Sequence, residues 1–416
     1  METHAHTRPL MRQPTTPASD SPALPRLARV EAIHVRVPFR RPILDATGEY
    51  THRRSWLLRI VDEDGAEGLG EAAINPIAED VTTGALALLI REIVPALAAG
   101  RPPAWAKLAP EGEPGRAAMA AVDGAIAALL AARGEGGGDD GGGKGGAAAA
   151  ASIPVSAAIR FGGPDAGAEA AAQAVELGFG TLKLRAGFER VTDQLVARIR
   201  AVRAAVGPEP QLRVDAGGAW DLETATERLA ALEPFRIEYV EQPLAAWDLI
   251  GHAALRERVD VPIALDESID SEGSARAALA EGAADIIIVK PARVGGLAAT
   301  MRIVDAASGA GAKVVLGTYF ETGVGIAAAL RVAAAMRGNV RATTPETAHG
   351  LATAGLLVHD LLGVPIPIEK GRMAVPPVVS LEESVVDRYA LERFEAHPVR
   401  LVGARMPART GHDPSG

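Results

Sequence analysis

The chain has 416 residues, 48% hydrophobic and 23% charged, which is ordinary for a globular protein with a full core. Its 52 acidic residues outnumber its 43 basic ones, and the net charge of −9 argues against a surface for nucleic acid or an anionic membrane. The absence of cysteine excludes disulfides, a thiolate nucleophile and a thiolate metal site. At this length we expect one large domain and a smaller companion.

The N-terminal segment is rich in Pro, Thr and Ser and lacks hydrophobic periodicity, so we predict a disordered tail at residues 1–27. It has no apolar centre of a secretory signal, and we find no apolar run of the roughly 18 residues that a membrane span needs. A cytoplasmic protein with neither a membrane nor a nucleic-acid partner is the default expectation.

Residues 28–150 predict a small α+β domain. Residues 30–37 alternate apolar with polar side chains, which is typical of a half-buried strand. A second strand at 55–61 meets a turn at 62–65, and a third run reaches Ala72. Helical patterns follow at 79–98 and 115–132.

A glycine-rich stretch at residues 134–146 predicts a flexible linker within this domain. The alternative is a phosphate-binding loop, but such loops follow a strand and precede a helix. Here the preceding element is helical and an alanine run follows, so the linker interpretation is favoured.

From Ile153 onward, strand patterns alternate with alanine-rich helical stretches, which predicts a parallel sheet with buried strands. Seven or eight such units in order favour a barrel over a doubly wound sheet, and we assign residues 151–355 to it. The predicted strands are 153–159, 180–185, 211–215, 237–241, 262–266, 285–290 and 313–317, with a weaker eighth near 339–344.

The pattern breaks up after about Leu356, where several prolines indicate irregular chain. A last helix is predicted near 380–396. We expect residues 356–403 to return to the N-terminal domain and residues 404–416 to form a tail.

Three acids each close an apolar run in consecutive βα units: Asp215, Glu241 and Asp266 lie 26 and 25 residues apart, and Lys290 follows 24 residues later. In a (β/α)8 barrel the carboxyl ends of the strands gather around one active site. Three carboxylates there suit Mg2+, which prefers oxygen ligands. The alternative for a single acid is a helix cap, but three in succession favour a site.

Lysine and arginine are predicted on two walls of this site. Lys183 and Arg185 are spaced by two in one strand, so both can point inward, and Lys290 ends the sixth strand across the barrel. Such a site suits removal of a proton α to a carboxylate, because a metal offsets the charge of the enediolate. For a lone lysine, a salt bridge to the carboxylates is the alternative.

The order of these residues resembles the enolase superfamily, in its muconate-lactonizing subgroup. The family uses a Lys or His base with Mg2+. The seventh strand ends without the His that the mandelate-racemase subgroup would need. The resemblance covers roughly residues 28–400, and its matching stretches are 214–220, 239–244, 265–268, 289–296 and 317–325.

The resemblance implies a modified (β/α)7β TIM barrel with an α+β capping domain formed by the N-terminal part and the C-terminal tail. It implies Mg2+ ligands at Asp215, Glu241 and Asp266 and catalytic roles for Lys183, Arg185 and Lys290. Expected substrate contacts are Thr318, Tyr319, Glu321, Arg53 and His349, with structural hydrogen bonding as the alternative for Glu321 and His349.

Residues 38–58 and 348–357 resemble the o-succinylbenzoate synthases of this subgroup. The implied reaction is dehydration of a succinyl-hydroxycyclohexadiene carboxylate, a step of menaquinone synthesis. Racemisation of N-acylamino acids and epimerisation of dipeptides are the competing activities. The partner is a small carboxylate, and a homo-oligomer is left open.

Two positions depart from the family pattern. Arg185 stands where the family has a lysine, usually the general base of the synthases, and arginine, with a solution pKa above about 12, is a poor base. Gly217 stands where the family often has Asn. A racemase needs a base on each face, whereas a dehydration on one face needs only one, which could be Lys290 or a strongly desolvated Arg185. A catalytically impaired binding protein is the alternative of a different class.

We predict that the glycine-rich stretch is dispensable. It has no apolar residue to bury, so replacing residues 134–146 by a Ser/Gly linker of equal length should leave activity and Tm near wild type. The measurements are a thermal melt and an activity assay. A large loss of either would show that the segment docks on the site.

Overall fold

The structure is a computed structural model of the chain. It describes residues 25–45, 48–75, 79–101, 112–135, 151–159 and 163–398. The predicted tails lie outside the described residues except for residues 25–27, and so does the predicted linker from residue 136 onward. Strand pairing begins at Leu27, inside the range assigned to the N-terminal tail.

The described residues form fourteen strands, and their bounds follow the predicted runs closely through the barrel. They are β1 (Leu27–Asp45), β2 (Gly48–Asp62), β3 (Glu67–Ala73), β4 (Ser152–Pro154), β5 (Ala157–Ile159), β6 (Thr181–Arg185), β7 (Gln211–Asp215), β8 (Ile237–Glu241), β9 (Ile263–Leu265), β10 (Ile286–Val289), β11 (Lys313–Leu316), β12 (Ile368–Glu369), β13 (Arg372–Ala374) and β14 (Ala390–Ala396).

Eleven α-helices are described in the same residues, with 3-10 turns at Glu233–Phe235 and Ala354–Leu356. They are α1 (Glu79–Ala98), α2 (Gly112–Ala132), α3 (Pro164–Glu176), α4 (Thr192–Val206), α5 (Leu222–Leu232), α6 (Leu249–Arg256), α7 (Glu272–Ala280), α8 (Pro291–Val294), α9 (Leu297–Ala310), α10 (Gly323–Met336) and α11 (Glu383–Tyr389).

The cap is a four-stranded antiparallel sheet in the order β14-β1-β2-β3. Helices α1 and α2 cover one face of this sheet, where residues such as Trp56, Leu58 and Ile90 form a buried core. Val30 and Ala32 of β1 lie in this core, whereas Ile33, Val35 and Val37 are buried in a separate cluster with residues of the barrel and the C-terminal segment.

The barrel is a parallel sheet in the order β11-β10-β9-β8-β7-β6-β5. Its strands are buried on both faces, with the helices packed outside, as expected for βα units. The fold is thus the predicted α/β barrel with an α+β cap.

The eighth position of the barrel differs from the prediction. Residues 339–344 form turns, because the Asn339 carbonyl accepts from the backbone N–H groups of Ala342 and Thr343. The Ala342 carbonyl accepts from the Val314 N–H of β11, and further along the chain His349 bridges in parallel to Val155 beside β4 and β5. The predicted strand near 339–344 is wrong.

The C-terminal segment is also divided differently from the prediction. The expected helix near 380–396 is the short α11 followed by strand β14, whose side chains alternate between partly buried and exposed. Strand β14 pairs antiparallel with β1, with Glu395 opposite Glu31. The segment does return to the N-terminal sheet, but as an edge strand.

Helix α2 packs against the cap sheet on one side and against the barrel on the other. By length and mean hydropathy it is the one described helix that would fit a membrane span, yet half of that stretch is buried inside the protein. It crosses β3 so closely that a Cβ atom on Gly70 would lie 2.8 Å from the Ala121 carbonyl carbon. On its other side, the Asp123 carboxylate accepts from the backbone N–H of Ala298 at the start of α9. These contacts identify α2 as a packed core helix.

We predict that Gly70→Ala is strongly destabilising, because the added methyl would meet the backbone of α2 at Ala121 and Ala125. The free energy of unfolding should fall by about 1–3 kcal/mol, typical of overpacking. Gly84→Ala is the matched control, since Gly84 lies exposed within α1 with nothing near its Cβ position. It should raise stability by about 0.5–1 kcal/mol. Urea unfolding measures both, and equal effects would contradict the packing account.

Candidate active site

The parallel register places the chemistry-bearing residues side by side. Arg185 is the lateral partner of Asp215, and Asp215 is the lateral partner of Glu241. Each is the last residue of its strand, and Asp266 directly follows β9. The spacing of 25 and 26 residues therefore becomes adjacency at the carboxyl end of the barrel, where such sites are built.

A cavity of about 230 Å³ opens over these strand ends. The cap contributes Ile43 and Asn75 to its walls, so it lies between the cap and the barrel. Its charged and polar walls include Lys183, Arg185, Asp215, Glu241, Asp266, Glu267, Lys290, Arg293, Thr318 and Tyr319.

Two cations on β6 contact Asp215, one at each of its carboxylate oxygens. Lys183 Nζ lies 3.0 Å from Asp215 Oδ2 and 2.6 Å from Glu241 Oε1. Arg185 Nη1 lies 2.8 Å from Asp215 Oδ1. Spacing of two in a strand points both side chains to the same face, as predicted.

The opposite wall carries Lys290, which follows β10. Its Nζ donates to Asp266 Oδ2 at 2.7 Å and lies 5.1 Å from the centre of the Tyr319 ring. Arg293, one helical turn further on, donates to the backbone carbonyls of Asp266 at 3.2 Å and Glu267 at 2.9 Å. Arg293 thereby fixes the loop that presents Asp266.

Arg293 and Tyr239 belong to the site although neither was predicted from the sequence to do so. The Tyr239 ring lies inside the barrel beneath the carboxylates and stacks under the guanidinium of Arg213, whose Cζ is 4.8 Å from the ring centre. The position of Arg293, three residues after Lys290 within the 289–296 motif, could have indicated that it lies at the site. Tyr239 lies two residues before Glu241, so the strand period places it on the same face.

Burial raises the pKa of Glu241 and Glu267, whereas cations outweigh burial at Asp266. Burial and the neighbouring Asp215 and Asp266 raise the pKa of Glu241 to about 8, against the attraction of Lys183. Burial and Asp266 raise the pKa of Glu267 to about 7. For Asp266 itself burial is outweighed by Lys290 and the other cations, which lower its pKa to about 2.

Lys183 is held as a cation. Burial disfavours its charge, but the coulombic attraction of Asp215, Glu241 and Asp266 outweighs burial and raises its pKa well above the usual value. The wall built by β6 therefore presents two positive charges, both engaged with carboxylates.

The donor set fits a hard divalent cation. Three carboxylates converge on one cavity, and two buried oxygens, Asp266 Oδ1 and Glu267 Oε2, have no hydrogen-bond partner in the protein. In this conformation Lys183 and Lys290 sit on carboxylate oxygens that an ion would use, and among the described residues no three acidic or histidine groups enclose an ion directly. Asp215, Glu241 and Asp266 are the residues that could hold one.

Thr318 and Tyr319 line the cavity, but three other residues expected to contact substrate do not. His349 is buried in the barrel closure, where its Nδ1 accepts from the Leu316 N–H at 3.1 Å. Burial and nearby Arg213 lower the pKa of His349 to about 3, so it is neutral.

Arg53 and Glu321 lie behind the cavity wall. Arg53 is fully buried in β2 and donates to the Ile74 carbonyl at 2.7 Å. Glu321 accepts from the Tyr319 N–H at 2.7 Å, and burial and Glu71 raise its pKa to about 7. Both residues support the segments that line the site.

Comparison with known proteins agrees with this geometry. The enolase C-terminal domain-like family model matches residues 166–379, about half of the chain. The chain belongs to the enolase superfamily. This match contains β6 to β11 and every charged residue described above on the barrel walls.

Two relatives in sequence are named for different activities. An o-succinylbenzoate synthase of Thermobifida fusca is 37% identical over 264 residues, which are 61% of this chain and 75% of that protein. An N-succinylamino acid racemase of an Amycolatopsis species is 35% identical over 205 residues, 49% of this chain and 54% of that protein.

The whole fold has solved counterparts. The structure of a probable mandelate racemase from Alicyclobacillus acidocaldarius superposes with a TM-score of 0.73 at 28% identity. The superposition covers 89% of this chain and 99% of that one. The similarity therefore extends over the cap as well as the barrel.

We predict that the carboxylates bind one Mg2+. Asp215→Asn or Glu241→Gln should weaken Mg2+ affinity by at least about tenfold, because each removes a charged oxygen ligand. Calorimetric titration of folded variants measures this. Asp285→Asn, which removes an acid at the opposite end of the barrel where it pairs with Arg256, should leave the affinity near wild type. Unchanged affinity in both site variants would contradict the assignment.

Proposed function

We propose that the protein is a Mg2+-dependent lyase of the o-succinylbenzoate synthase type, which dehydrates a succinyl-hydroxycyclohexadiene carboxylate. The observation that carries the proposal is the difference between the two walls of the cavity. Both walls carry cations bound to carboxylates, but the β6 wall ends in Arg185, bound to Asp215, whereas the opposite wall presents a lysine, Lys290, bound to Asp266.

Proton removal is assigned to the wall of Lys290. A desolvated lysine amine can accept a proton, whereas the guanidinium of an arginine stays charged. Lys183 is held as a cation by its carboxylate partners. Lys290 is therefore the residue proposed to accept the α-proton.

A single base suffices for dehydration. The C–H electron pair passes into the enediolate as Lys290 takes the proton, and collapse of the enediolate expels the β-hydroxyl. The resulting ammonium can return that proton to the departing hydroxide, so hydrogen and hydroxyl leave as water from one face. Asp215, Glu241 and Asp266 would hold Mg2+, which offsets the charge developed on the substrate carboxylate.

The cations of the other wall have a binding role in this proposal. Arg185 and Lys183 orient Asp215 and Glu241 at the strand ends, and against burial the two cations lower the pKa of Asp215. Thr318 and Tyr319 complete the wall next to Lys290, and Ile43 and Asn75 of the cap close the cavity over the substrate. We further propose a cytoplasmic location and a small-molecule carboxylate substrate as the partner, with a homo-oligomer left open.

Racemisation of an N-succinylamino acid is the second candidate, because a relative at 35% identity is named for that activity. It would need proton transfer on the β6 wall as well, where both cations, Lys183 and Arg185, are bound to carboxylates. Assaying both substrates in parallel with Mg2+ separates the two activities, and loss of neither substrate would favour a binding protein.

We predict that Lys290→Ala abolishes α-proton exchange, since it removes the proposed base. Arg185→Lys should retain activity or raise it, because a lysine can supply a charge at the same wall and also accept a proton. NMR in D2O measures the exchange of the substrate α-proton for deuterium.

Lys313→Ala is the control for this experiment, since Lys313 begins β11 at the far end of the barrel and donates to the Arg341 carbonyl. It should exchange like wild type. Exchange that survives in Lys290→Ala but is lost in Arg185→Lys would place the base on β6 and refute the proposal.

A further inference from the structure

The two departures from the family pattern, Arg185 and Gly217, touch each other. A Cβ atom placed on Gly217 would lie 2.7 Å from Arg185 Cζ and 2.8 Å from Nη1, and closer still to Nη2. Real Cβ atoms do not approach other atoms so closely. The colliding group is the end of a flexible side chain, so Arg185 would move rather than the backbone.

The register explains why these positions meet although 32 residues separate them. Arg185 ends β6 and lies beside Asp215, which ends β7. Gly217 is two residues after Asp215, in the turn that follows β7. In this turn Gly217 has φ +57° and Gly218 has φ +75°, the left-handed region that favours glycine and that Asn also tolerates.

The space beside Gly217 is filled by the guanidinium that holds Asp215. Arg185 Nη1 lies 2.8 Å from Asp215 Oδ1, and the Arg185 side chain is only 19% exposed. A lysine at position 185 lacks the planar, three-nitrogen group and so would not need this space.

We propose that Gly217 is a positioning residue: by lacking a side chain, it seats the guanidinium of Arg185 on Asp215. The guanidinium is thereby kept on Asp215 and out of the cavity, and the proposed chemistry is left to the face of Lys290. This inference rests on the proposed function for its catalytic consequence, but not for the steric relation itself.

The pair makes a specific prediction for substitution. A side chain at position 217 displaces the guanidinium from Asp215 into the cavity, which both removes a partner of a buried carboxylate and obstructs substrate. The same side chain is accommodated when residue 185 is lysine. Gly217→Asn should therefore be harmful in the wild-type background and tolerated in the Arg185→Lys background.

The experiment is a double-mutant cycle on the full chain with Gly217→Asn, Arg185→Lys and the double variant. Residues in direct contact couple by about 0.5–3 kcal/mol in such cycles. Gly218→Asn, alone and with Arg185→Lys, is the matched control. It carries the same type of residue at positive φ, but its Cβ would face the Leu244 carbonyl at 3.3 Å and not Arg185.

Two readouts are used. Urea unfolding of the metal-free protein needs no substrate, and kcat and KM for the cyclohexadiene carboxylate report on the site. We expect Gly217→Asn to lower the urea midpoint and to lower kcat/KM by at least about tenfold, with a raised KM, and Arg185→Lys to restore most of both. Gly218→Asn should have the same small effect in either background.

Equal losses from Gly217→Asn in both backgrounds would overturn the inference, because backbone strain would then account for them. If Gly217→Asn does not fold, folding of the double variant supports the inference and unfolding of both contradicts it. Coupling in urea without any dehydration activity would leave the positioning role intact and refute the proposed function instead.

Discussion

Compensation of buried carboxylates by cations is the constraint on which the site depends. The parallel register brings Asp215, Glu241 and Asp266 together, where burial alone would favour their neutral forms. Lys183 lies between two of them and Lys290 on the third. Ionised carboxylates at this depth are sustained only by such partners or by a metal ion.

A further buried acid, Glu71, links the cap to the barrel beside the active site. Glu71 on β3 accepts from the Thr322 backbone and hydroxyl, the latter at 2.7 Å, and from the Gly325 N–H at the start of α10. An acid at a helix N-terminus is favourable, and here it also joins two parts of the chain. The loop that carries Thr318 and Tyr319 is thus held next to the cap that covers it.

Much of the barrel and of its carboxylate site could be predicted, because local sequence patterns indicate both. The apolar runs predict the strands, and the acids that end them, Asp215, Glu241 and Asp266, predict that the site lies at the carboxyl end of the barrel. The eighth barrel position could not be read in the same way, because a single bridge at His349 fills it rather than a run of strand residues. Strand β14 was mistaken for helix, because its pairing with β1 decides its conformation and lies far away in sequence.

The fine structure of the site depends on contacts that no local pattern encodes. Arg185 and Gly217 were noted as separate departures, and only the register shows that one makes room for the other. Similarly, Glu321 and His349 were expected at the substrate, yet each satisfies a backbone N–H behind the cavity wall. Polar residues near a site can serve its scaffold as readily as its chemistry.

The central claim is that proton chemistry occurs on one face only, at Lys290. The most direct test is to incubate the wild-type protein and Mg2+ with the separate L and D enantiomers of an N-succinylamino acid in D2O and to follow the α-proton by NMR. The account predicts that one enantiomer exchanges its α-proton with retention of configuration while the other does not exchange. Exchange of both enantiomers at similar rates, with racemisation, would contradict it.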